Sequence, residues 1–112
     1  MPAFVPDVGD LIWLTFDPQA GHEQAGRRPA LVLSSRAYNQ KSGLAVVCPV
    51  TSQIKGYPFE VPVPTGYGVK GAILADHVKS VDWKARRAGK IIRVPPSTLN
   101  EVLARLVPLL GY

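Results

Sequence analysis

Half-cystines are missing from this chain. Its one cysteine, Cys48, sits inside an apolar run. No disulfide framework is possible, which suits a reducing compartment, and the cytoplasm is the expected location. Long hydrophobic runs are absent too, so neither a membrane span nor a secretory leader is expected. Metal ligands are sparse. His22 and His77 lie far apart, and Asp10, Asp17, Asp76 and Asp82 are scattered without paired-ligand spacing. A metal centre is therefore not expected. No glycine-rich phosphate-cradling pattern appears, and no cofactor is implied. Acid is in short supply: 8 Asp+Glu stand against 13 Lys+Arg, a formal net charge of +5. That balance points to a polyanionic partner. It is uneven as well, because Lys79, Lys84, Arg86, Arg87, Lys90 and Arg93 fall within fifteen residues whose only acid is Asp82.

What is present reads as one domain over residues 1–112, and 46% hydrophobic with 19% charged residues is globular rather than disordered. Eleven prolines and ten glycines punctuate short apolar runs. That punctuation predicts a mainly β fold, a small barrel or sandwich. Strands are predicted at 11–16, 29–34, 44–50, 59–63 and 90–94, and one bent strand from Gly71–Leu74 into His77–Val81. Ser35 to Lys41, closed by Gly43, predicts a short helix. A second is expected from Asp82 to Ala88. Thr98-Leu99-Asn100-Glu101 fits a capping box opening a C-terminal helix. Leu99, Val102, Leu103, Leu106 and Leu110 share one face of it, as core or as a dimer contact. Pro108 should kink or shorten its last turn.

The chemistry-bearing residues gather at strand ends. Glu23-Gln24-Ala25-Gly26-Arg27-Arg28-Pro29 feeds directly into an apolar strand, and Pro49-Val50-Thr51-Ser52 ends another. An arginine fork matches phosphate oxygens two at a time, so Arg28 is a candidate for stabilising charge on a phosphate. The hydroxyls of Thr51 and Ser52 can donate to phosphate or leaving-group oxygens. Glu23 is a candidate general base, with His22 and His77 as rivals. The connection from Asp17 to Arg27 is long for a β–β link and reads as a flap beside a site. Aromatics lie among the cations: Tyr57 and Phe59 after Lys55, Tyr67 before Lys70, and Trp83 before Lys84. Bases stack on such rings. Trp13 and Phe16 are expected in the core, and Tyr67 on the surface.

Five segments in order carry a family resemblance. They are Val5–Trp13, Glu23–Pro29, Pro49–Ser52, Lys55–Val61 and Leu74–Ser80. Together they resemble the MazF/PemK endoribonuclease toxins, and the MazF branch most. The resemblance implies an SH3-like β-barrel with short helices and a homodimeric, sequence-specific, metal-independent ribonuclease, the toxin of a bacterial toxin–antitoxin pair. It assigns cleavage to Arg28 and Thr51 and activity to Glu23. Ser52, Asp76 and His77 are further candidates. In one branch an arginine precedes the aspartate equivalent to Asp76 by two residues. Leu74 stands there in this chain, and His77 replaces a common glutamine. Gln24, Arg27, Lys55, Tyr57, Lys79 and Arg86 are candidate RNA contacts.

The resemblance implies single-stranded RNA as substrate, cut by its own 2′-hydroxyl to leave a 2′,3′-cyclic phosphate and a 5′-hydroxyl. It also implies an antitoxin with an acidic, partly disordered tail that covers the basic groove. Two other readings remain open at this stage. One is a gyrase-poisoning toxin of the same barrel architecture. The other is a binding module for acidic peptides.

Overall fold

A computed structural model describes residues 4–16 and 26–112. Among them are seven strands and two helices: β1 (Asp10–Phe16), β2 (Gly26–Val32), α1 (Arg36–Ser42), β3 (Leu44–Thr51), β4 (Glu60–Pro62), β5 (Ala72–Leu74), β6 (Lys79–Asp82), β7 (Gly89–Arg93) and α2 (Pro96–Leu109). The strands form one antiparallel sheet in the order β4-β5-β3-β2-β1-β7, with β6 also paired to β3. The sheet curls until the turn after β6 reaches β1, where Thr15 donates its backbone N–H to the Arg86 carbonyl at 2.7 Å. This is the mainly β, barrel-like architecture expected from the sequence.

Strand alternation builds two cores from this one sheet. Ile12, Leu14, Ala30, Val32, Ala45, Val47, Val81 and Trp83 pack on the concave side. Leu11, Leu31, Cys48, Val50, Val61, Ile73 and Val102 pack on the other, where α2 and the β4–β5 hairpin cover it. Because both faces are buried, a one-residue slip in pairing would cost either core, which pins the register. Buried Asn39 cross-braces the concave side. Its side-chain amide donates to the carbonyls of Pro6 at 2.8 Å and Ser34 at 3.1 Å. Its backbone carbonyl accepts from Trp83 Nε1 at 2.9 Å.

α1 forms where expected, with the Ser35 hydroxyl accepting from the Tyr38 N–H and Gly43 closing it at φ +75°. Four expectations change. β2 begins three residues early, at Gly26, so Arg27 and Arg28 lie inside a strand. The bent strand is two strands, β5 and β6, both laid along β3 but offset around the turn at Ala75 and Asp76. The expected helix from Asp82 to Ala88 does not form: Asp82 ends β6 and residues 83–87 form turns, because the Asp82 carboxylate accepts from the Ala85 N–H and Arg87 adopts φ +56°. The capping box does not form: α2 starts at Pro96, and Thr98 is buried inside its first turn. Proline at the first helical position has its φ already set and no N–H to satisfy, so it opens the helix earlier than threonine could. The helix runs only one residue past Pro108. Val102 and Leu106 of its apolar stripe are buried, whereas Leu110 is 62% exposed.

Candidate nucleic-acid cleavage site

Strands β2 and β3 pair through Ala30↔Pro49, Leu31↔Cys48 and Val32↔Val47. The ladder stops at Pro49, which has no N–H to donate. Both strands run on past it. Continuing the register by two residues sets Arg28 opposite Thr51, on the face that carries Ala30 and Val32 on one strand and Ala45 and Val47 on the other.

A cleft of about 360 Å³ opens at these strand ends, with Arg28, Pro29, Val50 and Ser52 along its wall; Thr51 lies between two of the lining residues and is not itself one of them. Trp13, cross-strand from Pro29 in β1, is half-buried and lines it too. The opposite lip is Gly68, Val69 and Lys70 from the loop before β5. That loop is pressed against the site. Gly71 has φ +141°, and a Cβ there would overlap the Thr51 carbonyl oxygen.

The polar groups of the cleft are hydroxyl-bearing or cationic. Arg28 is half-buried and makes no side-chain hydrogen bond or ion pair among the described residues. Thr51 Oγ1 accepts from the Gln53 N–H at 3.1 Å, which orients the hydroxyl at the strand end. Ser52 is exposed on the cleft wall. Arg27 also lines the cleft, but its guanidinium is held: Nη1 donates to Thr15 Oγ1 at 2.6 Å and Nη2 to the Arg87 carbonyl at 2.8 Å. Its charge is therefore fixed in place, next to a second cleft of about 230 Å³ lined by Thr15, Ser80, Asp82 and Arg86. Lys79 and Arg86 both sit over the Phe16 ring, at 4.9 and 4.8 Å from its centre.

Other candidates lie elsewhere. Asp76 and His77 are exposed in the turn between β5 and β6, with Nε2 of the imidazole 3.8 Å from the Asp76 carboxylate. They do not line the Arg28 cleft. Lys55 and Tyr57 are exposed on the loop that follows Ser52, the ammonium 6.0 Å from the centre of the ring. Glu23, Gln24 and His22, with most of the predicted flap, lie outside the described residues. No three of His, Cys, Asp and Glu gather into a metal-binding group among the described residues. No helix among them is long and apolar enough to cross a membrane.

The aromatic expectations partly invert. Trp83 is 4% exposed and belongs to the core, so it offers no stacking surface. Tyr67 is half-buried rather than free. Trp13, expected in the core, is the ring that faces the cleft. The signal for it was available: between inward Ile12 and Leu14, alternation turns Trp13 to the other face. Lys70 stood among the noted basic–aromatic neighbours, but its loop position could not be read without the fold.

Residues 7–110 match the family described as PemK-like, MazF-like toxin of type II toxin–antitoxin system. The endoribonuclease toxin MazF of Escherichia coli (strain K12) is 52% identical over 108 residues, covering 96% of each chain. The Escherichia coli endoribonuclease PemK is 39% identical over 107 residues, covering 88% of this chain and 78% of its own. The crystal structure of MazE–MazF from Deinococcus radiodurans contains a chain that superposes with a TM-score of 0.92 at 58% identity, covering 97% of this chain and 98% of that one.

Proposed function

This chain belongs to the PemK-like, MazF-like family of toxins of type II toxin–antitoxin systems, and from that membership we propose that it is a sequence-specific, metal-independent endoribonuclease acting on single-stranded RNA at the Arg28–Thr51 cleft. What supports the reading is that the β2–β3 register, carried past Pro49, brings an arginine with no partner among the described residues opposite a threonine whose hydroxyl is oriented by the Gln53 N–H. The named relatives are endoribonucleases, and nothing in the cleft favours a gyrase-poisoning role.

The reaction uses the RNA 2′-hydroxyl as nucleophile. It attacks the adjacent phosphorus, forms the 2′–O–P bond and expels the 5′-oxygen. The products are a 2′,3′-cyclic phosphate and a 5′-hydroxyl. Because the nucleophile comes with the substrate, the protein's tasks are to splay the strand into line and to stabilise the crowded phosphorane. Arg28 takes the non-bridging oxygens with its fork of donors. Thr51 donates to a phosphate or leaving oxygen, with Ser52 beside it. Glu23 accepts the 2′-hydroxyl proton, and His77 and Asp76 are reserve groups for proton transfer. Trp13 supplies a ring on which an unstacked base can rest. Arg27, Arg86 and Lys79 continue the positive surface from the first cleft to the second, and Lys55, Tyr57 and Gln24 belong to the loops that choose bases. The whole of residues 1–112 acts as one toxin domain.

The partner chemistry follows from the same surface. An antitoxin with an acidic, disordered tail would lay its carboxylates along these cations and exclude RNA. We assign the second copy of a homodimer to the apolar end of α2. One experiment tests the reaction. Purified protein is incubated with a long RNA in excess chelator, beside a substrate carrying a deoxynucleotide 5′ of the cut. Cleavage in chelator, ending in a cyclic phosphate and lost at the deoxy position, is expected. Continued cutting at the deoxy position would remove the 2′-hydroxyl mechanism. Loss of cutting that magnesium restores would point to a metal nuclease.

A further inference from the structure

The loop from Gln53 to Phe59 leaves the cleft at Ser52 and carries exposed Ile54, Lys55 and Tyr57. Its backbone closes around one carboxylate. Glu60 accepts from the Gly56 N–H at 2.9 Å and from the Lys55 N–H at 3.1 and 3.2 Å, and its own N–H donates to the Tyr57 carbonyl at 3.0 Å. Gly56 takes φ +80°, a backbone conformation suited to glycine, and this lets two consecutive N–H groups converge on one anion. A second brace comes from α2: Arg105 Nε donates to the Pro58 carbonyl at 2.9 Å, while its Nη1 donates to the Glu101 carbonyl one turn back.

A carboxylate here is costly for a surface that must attract a polyanion. Charge alone makes Glu60 a liability beside Lys55, and its value lies in what it holds. We propose that Glu60, with Arg105, is a positioning residue that pre-forms the Gln53–Phe59 loop so that Lys55 and Tyr57 meet the RNA in one fixed arrangement and thereby set which sequence is cut. The proposal rests on the endoribonuclease reading of the cleft. A pre-formed loop avoids ordering seven residues on binding, so its loss falls on substrate affinity and site choice rather than on the chemical step.

The opposing expectations differ in sign. If Glu60 acts only through its charge, removing it strengthens RNA binding. If it positions the loop, removing it weakens binding. The full-length protein and its Glu60→Ala, Glu60→Gln and Arg105→Ala variants are compared on a long single-stranded RNA, with cut sites mapped and thermal unfolding recorded. Glu60→Ala is expected to raise KM about tenfold with kcat within about twofold, and to spread cutting over more sites. Glu60→Gln keeps one oxygen that both N–H groups can reach, and should bring KM to within about threefold of the parent. Arg105→Ala should shift KM and site choice in the same direction as Glu60→Ala. A lower or unchanged KM in Glu60→Ala, or a Gln variant no better than Ala, overturns the proposal. A fall in unfolding temperature with an unchanged cut pattern does so as well, since that is a purely structural role. Should Glu60→Ala not fold, parent-like KM and cut sites in the other two variants overturn it. A parent protein that cuts no RNA at all refutes the endoribonuclease reading first, and this proposal with it.

Discussion

The β2–β3 register, carried two residues past Pro49 where the ladder ends, sets Arg28 opposite Thr51 on one face. Arg28 pairs with Leu14 of β1 and Thr51 with Ala72 of β5. Arg28 lines the cleft beside Trp13 and Lys70, and Thr51 stands between the lining residues Val50 and Ser52. On the proposed reading, a bidentate donor and a hydroxyl act on one phosphate from these two strand ends.

Arg28→Ala and Thr51→Ala should therefore each lower kcat/KM for RNA by at least about a hundredfold, the scale of losing a donor to a charged transition state. Arg28→Lys should not rescue, since an ammonium lacks the planar fork. If the two act on one phosphate, the double variant should be little worse than the poorer single one. Cleavage rates with unfolding curves as a control decide it. Full activity in both single variants would show that the site lies elsewhere.

Gly71 gives the site its lip. Alanine there meets the Thr51 carbonyl and is strained by φ +141° as well. Gly71→Ala should cost roughly 3 kcal/mol of stability and most of the activity. Gly43→Ala is the control. It also has a positive φ, but nothing lies within 4 Å of the added methyl. It should cost about 1 kcal/mol and leave cleavage intact. Equal effects of the two substitutions in urea unfolding and in RNA cleavage would refute the contact.

These two cases show where reading from residues alone runs out. The β1 and β3 segments were legible because Leu11-Ile12-Trp13-Leu14 and Leu44–Val50 are apolar, bounded and rich in β-formers. Arg28 and Thr51 were legible as residue types at strand ends. Their opposition was not, because register is set by both cores at once. Gly71 looked like any punctuating glycine until its neighbour was known. Local signals also competed. Pro95-Pro96 overrode the Thr98–Glu101 box, and the Asx-type bond from Asp82 overrode helix propensity in 82–88. Trp83 sits among cations in sequence, yet its indole N–H is claimed by Asn39.

The apolar end of α2 bears on assembly. Val107, Leu109, Leu110 and Tyr112 are 42%, 50%, 62% and 90% exposed, an apolar cluster that water does not favour. With a second copy seated on it, Leu110→Glu should bury a charge and weaken self-association at least tenfold, roughly 1.4 kcal/mol or more. Sedimentation across a concentration series measures this. An unchanged association constant would move the dimer surface away from α2.

Cys48 supplies a pH signature of the fold. Its side chain is fully buried in the second core, with Sγ 3.9 Å from the Ala75 carbonyl. Burial, helped by the nearby Asp76 carboxylate, pushes the thiol from an ordinary 9.0 up to about 12. The folded chain therefore holds this proton where the unfolded chain releases it. The contribution to stability is complete below pH 9 and is lost as pH rises from there through about 12. Lysines and tyrosines titrate in the same range, so the comparison with Cys48→Ala isolates the thiol. The variant should lose roughly 1 kcal/mol at pH 8 for the small cavity. That deficit should shrink by about 2 kcal/mol between pH 8 and pH 10.5, becoming a slight advantage, as the parent pays for its buried thiol. Urea unfolding at several pH values reads the difference directly. A deficit that stays constant with pH would mean that the thiol ionises equally in both states. In that case the turn at Ala75 and Asp76 admits water to Cys48, and the β5–β6 offset beside Thr51 is looser than its buried core implies.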